Sequence, residues 1–408
     1  MVTKRMDSLS SGNVVRLAIL TTHPIQYNAP AFRALAASPG LQVRVFYEWE
    51  GPGNTIDQEF GRAITWDVPL FEGYDHEFAH NVASDPGTHH FRGIDNPEIV
   101  ARIGNWRPDV VLVYGWSFVS HVRVLRAFRG RLPIVFRGDS TLLDERPGVR
   151  TAARRLLLRW LYAHIDVALY AGAANRAYFV AHGLGEHQLE WAPHAVDNER
   201  FALGGSSTEL AAREWRARLG ISPDHTVLLF AGKLSSRKNP TMLLRAFMEI
   251  KRSERFSMSH LVFIGTGALM AALRNEALGR SDIHFLGFSN QSAMPTAYRL
   301  GDVLVMPSLR GETWGLAVNE AMACGRPVVA SDKVGCAPDL IQHGKTGFVV
   351  RHGDQVALEK TLRTLIGDSR LIAGMGANAL ALIQQWSIPR FAEITAHVVA
   401  RNVRDRKN

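Results

Sequence analysis

Two parallel-sheet α/β units facing a central cleft are predicted for this chain, on three observations. Its 408 residues exceed what one ordinary core holds, so two domains of roughly 200 residues each are expected. Short β-rich runs alternate with segments of helical period, and the alternation runs through the chain twice. Between the two series, after Asp197, the sequence turns polar and Gly/Ser-rich (NERFALGGSSTE), the best linker in the chain.

In the first series, apolar β-branched runs predict strands at 14–21, 43–48, 110–114, 133–136 and 166–170. Helices are expected at 29–37, 118–128, 149–164 and 173–182. The segment 50–105, rich in Gly, Pro, Asp and His, reads as loops and irregular strands. The second series has strands at 226–231, 261–265, 283–286, 303–307, 327–331 and 347–350. Its helices fall at 240–251, 269–278, 292–299, 315–323 and 355–366. Doubly wound sheets bind ligands beyond the carboxyl ends of their strands, which makes a cleft between the units the default site.

Composition narrows the class. The apolar fraction, 46%, is ordinary for a soluble globular protein, and no uninterrupted apolar run reaches the roughly 18 residues that span a bilayer. The first dozen residues, MVTKRMDSLSSG, have no apolar core of signal-peptide length, and Cys324 and Cys336 are the only cysteines. A soluble cytoplasmic protein is the expectation. Residues 1–200 hold 21 basic and 21 acidic side chains, so 201–408 carries the whole net charge of +9, with 26 against 17. Arg123 to Arg159 contains ten arginines against Asp139, Asp144 and Glu145. A positive field favours phosphates, acidic lipids or nucleic acid. No nucleic-acid-binding motif is present and the aromatics do not interleave with the arginines, so no nucleic-acid partner is expected.

The stretch PSLRGETWGLAVNEAMACGRPVVAS, from Pro307 to Ser331, places Glu312 and Glu320 eight positions apart around a helix start. Carboxylates accept paired hydroxyl hydrogen bonds, and charge-assisted bonds are the stronger kind. In AGKLSSRKNP, Lys233 leaves a strand and Lys238 enters a helix opened by Pro240. Two ammonium groups and free helix N–H groups suit a diphosphate, against the alternative of a basic surface turn. Gly265-Thr266-Gly267 lets backbone approach a phosphate or ribose closely, and a tight turn explains it equally well. Met270 breaks the dinucleotide fingerprint.

On the first unit, the polar turn Thr21–Asn28 puts His23, Gln26 and Asn28 at a strand end, facing an acceptor or the sugar. The alternative is a capping turn with Asn28 before Pro30. Arg137 and Asp139 follow another strand, as an anion site and proton acceptor or as an internal ion pair. His194, at the domain junction, reads better as a hinge residue than as a catalytic one. The amphipathic segment 150–165, RTAARRLLLRWLYAHI, suits an anionic membrane surface, although an apolar face packed on the sheet is the commoner outcome. No HExxH, Cys/His cluster or paired-aspartate pattern is visible. No metal site and no obligatory cofactor are therefore expected, with phosphate charge met by Lys, Arg and helix ends.

From Thr226 to Val350, GKLSSRKN, FIGTG, IHFLGF, DVLVMPS, GETWGLAVNEAMACGRPVVAS and HGKTGFVV resemble, in order and spacing, glycosyltransferase family 4. Its members are retaining enzymes of the GT-B fold, two Rossmann-like domains around a cleft. The PHAVDNERF junction, and Trp386-Ser387 before a last helix crossing back to the first domain, are similar too. The resemblance implies an acceptor domain over 14–200, a donor domain over 201–385 and a returning helix over 386–408, and 1–13 is expected to be a flexible N-terminus.

It implies transfer of a sugar from a UDP-, GDP- or ADP-type donor to a hydroxyl acceptor, and the basic Arg123–Arg159 region points to a glycan or lipid-linked acceptor that is phosphorylated or acidic, as in polysaccharide or glycolipid assembly. Gly232, Lys233 and Lys238 would meet the diphosphate, with Gly265 and Gly267 close by. Glu320 would hold the ribose hydroxyls, Phe288 the base, and Glu312 the sugar, with N–H groups at Trp314-Gly315-Leu316 assisting. Two departures concern the acceptor side. The first turn has His23-Pro24-Ile25-Gln26 where the family commonly has Gly-Gly. Arg137 stands at a strand end where many members carry a histidine, so His23, Asp139 or His121 is expected to substitute. A nucleotide-sugar epimerase or hydrolase, or a non-catalytic sugar-phosphate-binding subunit, is the alternative.

Overall fold

The computed structural model describes residues 14–51, 65–202 and 205–407, so the expectation for 1–13 lies outside the described residues. Among the described residues, seven strands form the first sheet: β1 Val15–Thr21, β2 Leu41–Tyr47, β3 Asp75–Phe78, β4 Val110–Tyr114, β5 Ile134–Arg137, β6 Val167–Tyr170 and β7 Leu189–Trp191. The second has six: β8 Thr226–Ala231, β9 Ser259–Ile264, β10 Ile283–Gly287, β11 Val303–Met306, β12 Val328–Ser331 and β13 Gly347–Val350. Their orders are β3-β2-β1-β4-β5-β6-β7 and β10-β9-β8-β11-β12-β13, with every pairing parallel.

Parallel strands are buried on both faces, which is why they read as near-continuous apolar runs. Along β1, Leu17 and Ile19 join one core while Ala18 and Leu20 join another, as the period of two demands. The first of these cores packs under the Ala29–Ala36 helix, the second under the helices Val119–Phe128 and Val149–Tyr162. Val227 and Leu229 of β8 likewise face away from Leu228 and Phe230. Strand order reverses direction between β1 and β4, and again between β8 and β11. Ligand crevices form at such switch points.

Two strands escape the sequence reading. β3 (DHEF) is a short polar edge strand and β7 (LEW) has three residues, so neither carries a usable apolar period. The expected linker also differs. It holds the helices Asn198–Ala202 and Gly205–Arg218, and Phe201 is fully buried with its ring 6.0 Å from that of Tyr298. Asn198 Nδ2 donates to the carbonyls of Ile383 and Trp386 at 3.0 and 3.2 Å. One buried phenylalanine and one buried amide turn a polar stretch into a packed joint.

The chain then returns. Val196 bridges Ser387, and the Ile388–Lys407 helix buries Ile388, Phe391 and Val399 in the core shared by β1 and the Ala29–Ala36 helix.

Candidate active site

The loops after β8 and β11 meet at the second switch point. After β8, Lys238 N and Asn239 N both donate to Ser235 O, curling the loop into a tight turn. Asn239 adopts a left-handed conformation (φ 53°), which asparagine tolerates well, and Pro240 opens the Pro240–Ile250 helix. Lys238 is thereby delivered to the helix entrance. Gly265, at the end of β9, is obligatory here, because a Cβ would lie 1.9 Å from the Gly232 carbonyl oxygen. After β11, Gly315 turns the chain at φ 101° into the Leu316–Ala323 helix, and a side chain there would meet Val334 Cγ1 at 2.8 Å.

These loops line a cavity of about 450 Å³ between the two sheets. From the second unit, Gly232, Lys233, Lys238, Gly265, Phe288, Glu312, Trp314, Gly315, Leu316 and Glu320 reach it. Gln26, Tyr27, Trp66, Asp139 and His194 reach it from the first. Lys238 Nζ donates to Glu312 Oε2, and Ser308 Oγ lies 3.4 Å from the same oxygen. Glu320 is only 3% exposed and accepts from Tyr298 Oη at 2.5 Å, while among the described residues its Oε1 has no partner in bonding geometry. Burial outweighs that bond and pushes the Glu320 carboxyl up to about 7. Tyr27 approaches the same carboxylate from across the cleft.

His194 faces Trp314 edge-on at 5.8 Å, and Asn319 Nδ2 donates to its carbonyl at 2.9 Å. Burial, with Arg137 nearby, lowers the His194 imidazole to about 4 against the opposing pull of Asp139, leaving it neutral at pH 7. The cleft margins are tied across. Thr313 Oγ1 donates to Asp139 at 2.9 Å, Gly311 N to Asp144 at 2.5 Å, and Ala173 N to both Asp339 oxygens at 3.1 and 3.0 Å.

Several residues expected here lie elsewhere. Arg137, 7% exposed, donates to the carbonyls of Ala192 and Pro193 and lies over the Phe391 ring at 4.8 Å. Those carbonyls and the returning helix capture the guanidinium, so it is no anion site in the cleft. His121 is buried at 1% exposure, 3.0 Å from the equally buried Glu48, and cannot stand in for a cleft histidine. His23 bonds Thr22 Oγ1 at 3.0 Å and packs edge-on against Trp49, outside the cavity lining. Asn28 does not line the cavity either, and its side chain makes no capping bond. Gly267 closes against the Leu234 carbonyl, 2.6 Å from a Cβ placed there, which is the tight-turn reading.

Sequence reasoning overlooked Tyr27, Trp66 and Tyr298 and undervalued His194. Tyr27 adjoins Gln26 inside the polar turn already singled out, which was the available signal. Tyr298 sits at ordinary helical spacing and gave none. Among the described residues, Asp85, His89 and His90 bring three potential metal-ligand atoms within 4.8 Å of one another, a grouping the sequence did not reveal. Both imidazoles are spent on Asp85, at 3.0 and 3.3 Å, and none of the three lines the cavity.

Residues 211–381 match the family described as glycosyl transferases group 1. A D-inositol 3-phosphate glycosyltransferase of Streptomyces bingchenggensis is 32% identical over 313 residues, 72% of this chain and 67% of that protein. The chain belongs to the group 1 glycosyltransferases, family 4. This glycosyltransferase is also 29% identical to the sulfoquinovosyl transferase SQD2 of Arabidopsis thaliana, over 69% of its own length and 55% of that protein. Its fold is that of Anabaena Alr3699/HepE, solved with UDP and glucose, at a TM-score of 0.69 and 18% identity over 95% of this chain and 100% of that one. The GT-B architecture is therefore a finding.

Proposed function

We propose that this glycosyltransferase moves a sugar from a nucleotide diphosphate donor, of the UDP, GDP or ADP type, to an acceptor hydroxyl with retention of anomeric configuration. One observation carries the reading: Lys233, Lys238, Glu312 and Glu320 converge on one cavity between the sheets. Two cations match a diphosphate, the buried carboxylate matches a ribose diol, and Glu312 beside Lys238 matches the sugar. In the reaction, the bond from the anomeric carbon to the phosphate oxygen breaks. The acceptor oxygen bonds to that carbon on the same face, and its proton passes to the departing phosphate oxygen. The protein's contribution is chiefly electrostatic, because Lys233 and Lys238 stabilise the charge that builds on the diphosphate. Asp139, Gln26 and the neutral His194 hold the acceptor.

Proton NMR of donor and acceptor mixtures tests this. The expected product is a glycoside with the donor's anomeric configuration, formed only when acceptor is present. Rapid epimerisation or hydrolysis of the donor alone would favour the epimerase or hydrolase reading instead.

A second reading concerns location. Leu158, Leu161 and Tyr162 of the Val149–Tyr162 helix face the core, yet Val149, Leu156, Leu157 and Trp160 are exposed at 87, 68, 51 and 47%. Among the described residues no helix is long and apolar enough to cross a membrane. An apolar stripe in an arginine-rich helix fits the interface of an anionic bilayer, where a lipid-linked acceptor would be met. The Leu156→Ser/Trp160→Ser double variant is expected to lose co-sedimentation with phosphatidylglycerol vesicles while keeping its melting temperature. Undiminished vesicle binding would end this reading.

A further inference from the structure

We infer that Trp66 is the second wall of the nucleobase subsite and that the base is held between it and Phe288. The inference rests on the nucleotide-sugar reading above and assigns a residue that this reading leaves out. Both side chains line the cavity, and they come from opposite sides of the cleft. Their ring centroids are 6.4 Å apart with the planes inclined at 49°.

The segment bearing Trp66 is pinned to the loop bearing Phe288. Asn290 Nδ2 donates to the Thr65 carbonyl at 2.8 Å, Ser292 N donates to Asp67 Oδ1 at 3.0 Å, and Ser292 Oγ donates to Asp67 Oδ2. On the far side of the same loop, Arg200 holds Gln291 through its carbonyl and its side-chain oxygen, at 2.6 and 2.7 Å. Six hydrogen-bonded residues thus surround two aromatic rings. This is more fixation than an incidental surface contact requires.

The spacing suits one planar guest. Carbon atoms pack best at roughly 3.5 Å, so a flat ring stacked on both sides needs its walls about 7 Å apart. At the present 6.4 Å the inclined rings must both turn parallel and separate by about half an ångström to admit the base. Stacking on two faces tolerates any base, because each offers a π-face.

The order of groups along the cavity agrees. Glu320, the ribose partner, is bonded to Tyr298 on the Met294–Leu300 helix, which the Phe288–Ser292 loop leads into. Lys238 is bonded instead to Glu312, on the loop that precedes the Leu316–Ala323 helix. A donor with phosphates at Lys238 and ribose at Glu320 therefore presents its base toward Phe288 and Trp66. One wall belongs to each unit, so a bound base bridges the two margins of the cleft.

Isothermal titration of wild type, Trp66→Ala and Trp66→Phe with UDP, GDP, ADP and inorganic pyrophosphate tests the assignment. Trp66→Ala is expected to weaken nucleoside diphosphates on the order of 10- to 100-fold, leave pyrophosphate within about twofold, and be largely rescued in Trp66→Phe. Wild-type nucleotide affinity in Trp66→Ala would overturn it, as would an equal loss for pyrophosphate, which signals general damage to the cleft. A wild-type protein that binds none of the three nucleotides would overturn the nucleotide-sugar reading itself. That result is distinct from both of the others.

Discussion

Lys238→Ala is expected to lower kcat/KM by about 10²–10³-fold while the protein still folds. The loss follows from where charge appears during the reaction. The breaking glycosyl–phosphate bond leaves its electron pair on a diphosphate oxygen, and a preorganised cation lowers the barrier only if it faces that oxygen. Lys238 meets this condition in the proposed mechanism, because it stands at the entrance of the Pro240–Ile250 helix and on the cavity wall. It also neutralises Glu312, whose side chain is 11% exposed.

The single variant therefore mixes two losses, a missing cation and an unpaired carboxylate. The Lys238→Ala/Glu312→Gln double variant separates them. If Lys238 acts on the diphosphate, the double variant stays as slow as the single one; if it serves only to neutralise Glu312, much of the rate returns. Near-normal turnover of Lys238→Ala, measured by NMR on a donor that wild type uses, would remove the lysine from the mechanism.

Glu320→Gln is expected to weaken donor binding on the order of 10²-fold, as exchange of a charged acceptor for a neutral amide predicts. It should not destabilise the fold at pH 8. Burial holds the carboxyl up at about 7, against 4.5 for an unperturbed glutamate. The folded protein then binds this proton more readily than the unfolded chain does. The corresponding stability is fully present below pH 4.5 and is lost as pH rises through 7. At pH 8 an ionised Glu320 costs the unliganded fold as much as roughly 3 kcal/mol, which glutamine relieves.

Melting temperatures of wild type and Glu320→Gln should accordingly diverge between pH 5.5 and 8, with the variant gaining at the higher value. Donor affinity of wild type should fall as pH drops below 7, because only the ionised form accepts both ribose hydroxyls. The variant should lack that dependence. Retained donor affinity in Glu320→Gln would contradict the ribose assignment.

How much of this was legible beforehand depends on the kind of signal each part leaves. Buried parallel strands announce themselves, and β4, β8 and β13 lie where their apolar runs place them. The edge strand β3 is polar and short, so only its register beside β2 defines it. In the site, Lys233, Lys238, Glu312 and Glu320 were readable because all four are local to two loop–helix junctions of one unit. Tyr27, Trp66 and His194 were not, since their importance comes from distance across the cleft and no local pattern encodes it. Arg137 misled for a related reason. An arginine at a strand end looks like an anion site until two backbone carbonyls and the Phe391 ring are seen to occupy it.

The returning helix has a consequence for how the molecule is made. Residues 14–200 emerge from the ribosome first, yet one face of their sheet is covered by Ile388, Phe391, Val399 and Val403. Domains ordinarily fold as units during synthesis, the earlier one first. Here the earlier unit waits with an apolar face uncovered while nearly two hundred further residues are translated. The later unit meanwhile buries Phe201 and Trp386 at the joint. The earlier unit is thus completed after the later one, and nascent chains arrested before residue 388 should be the ones that chaperones retain.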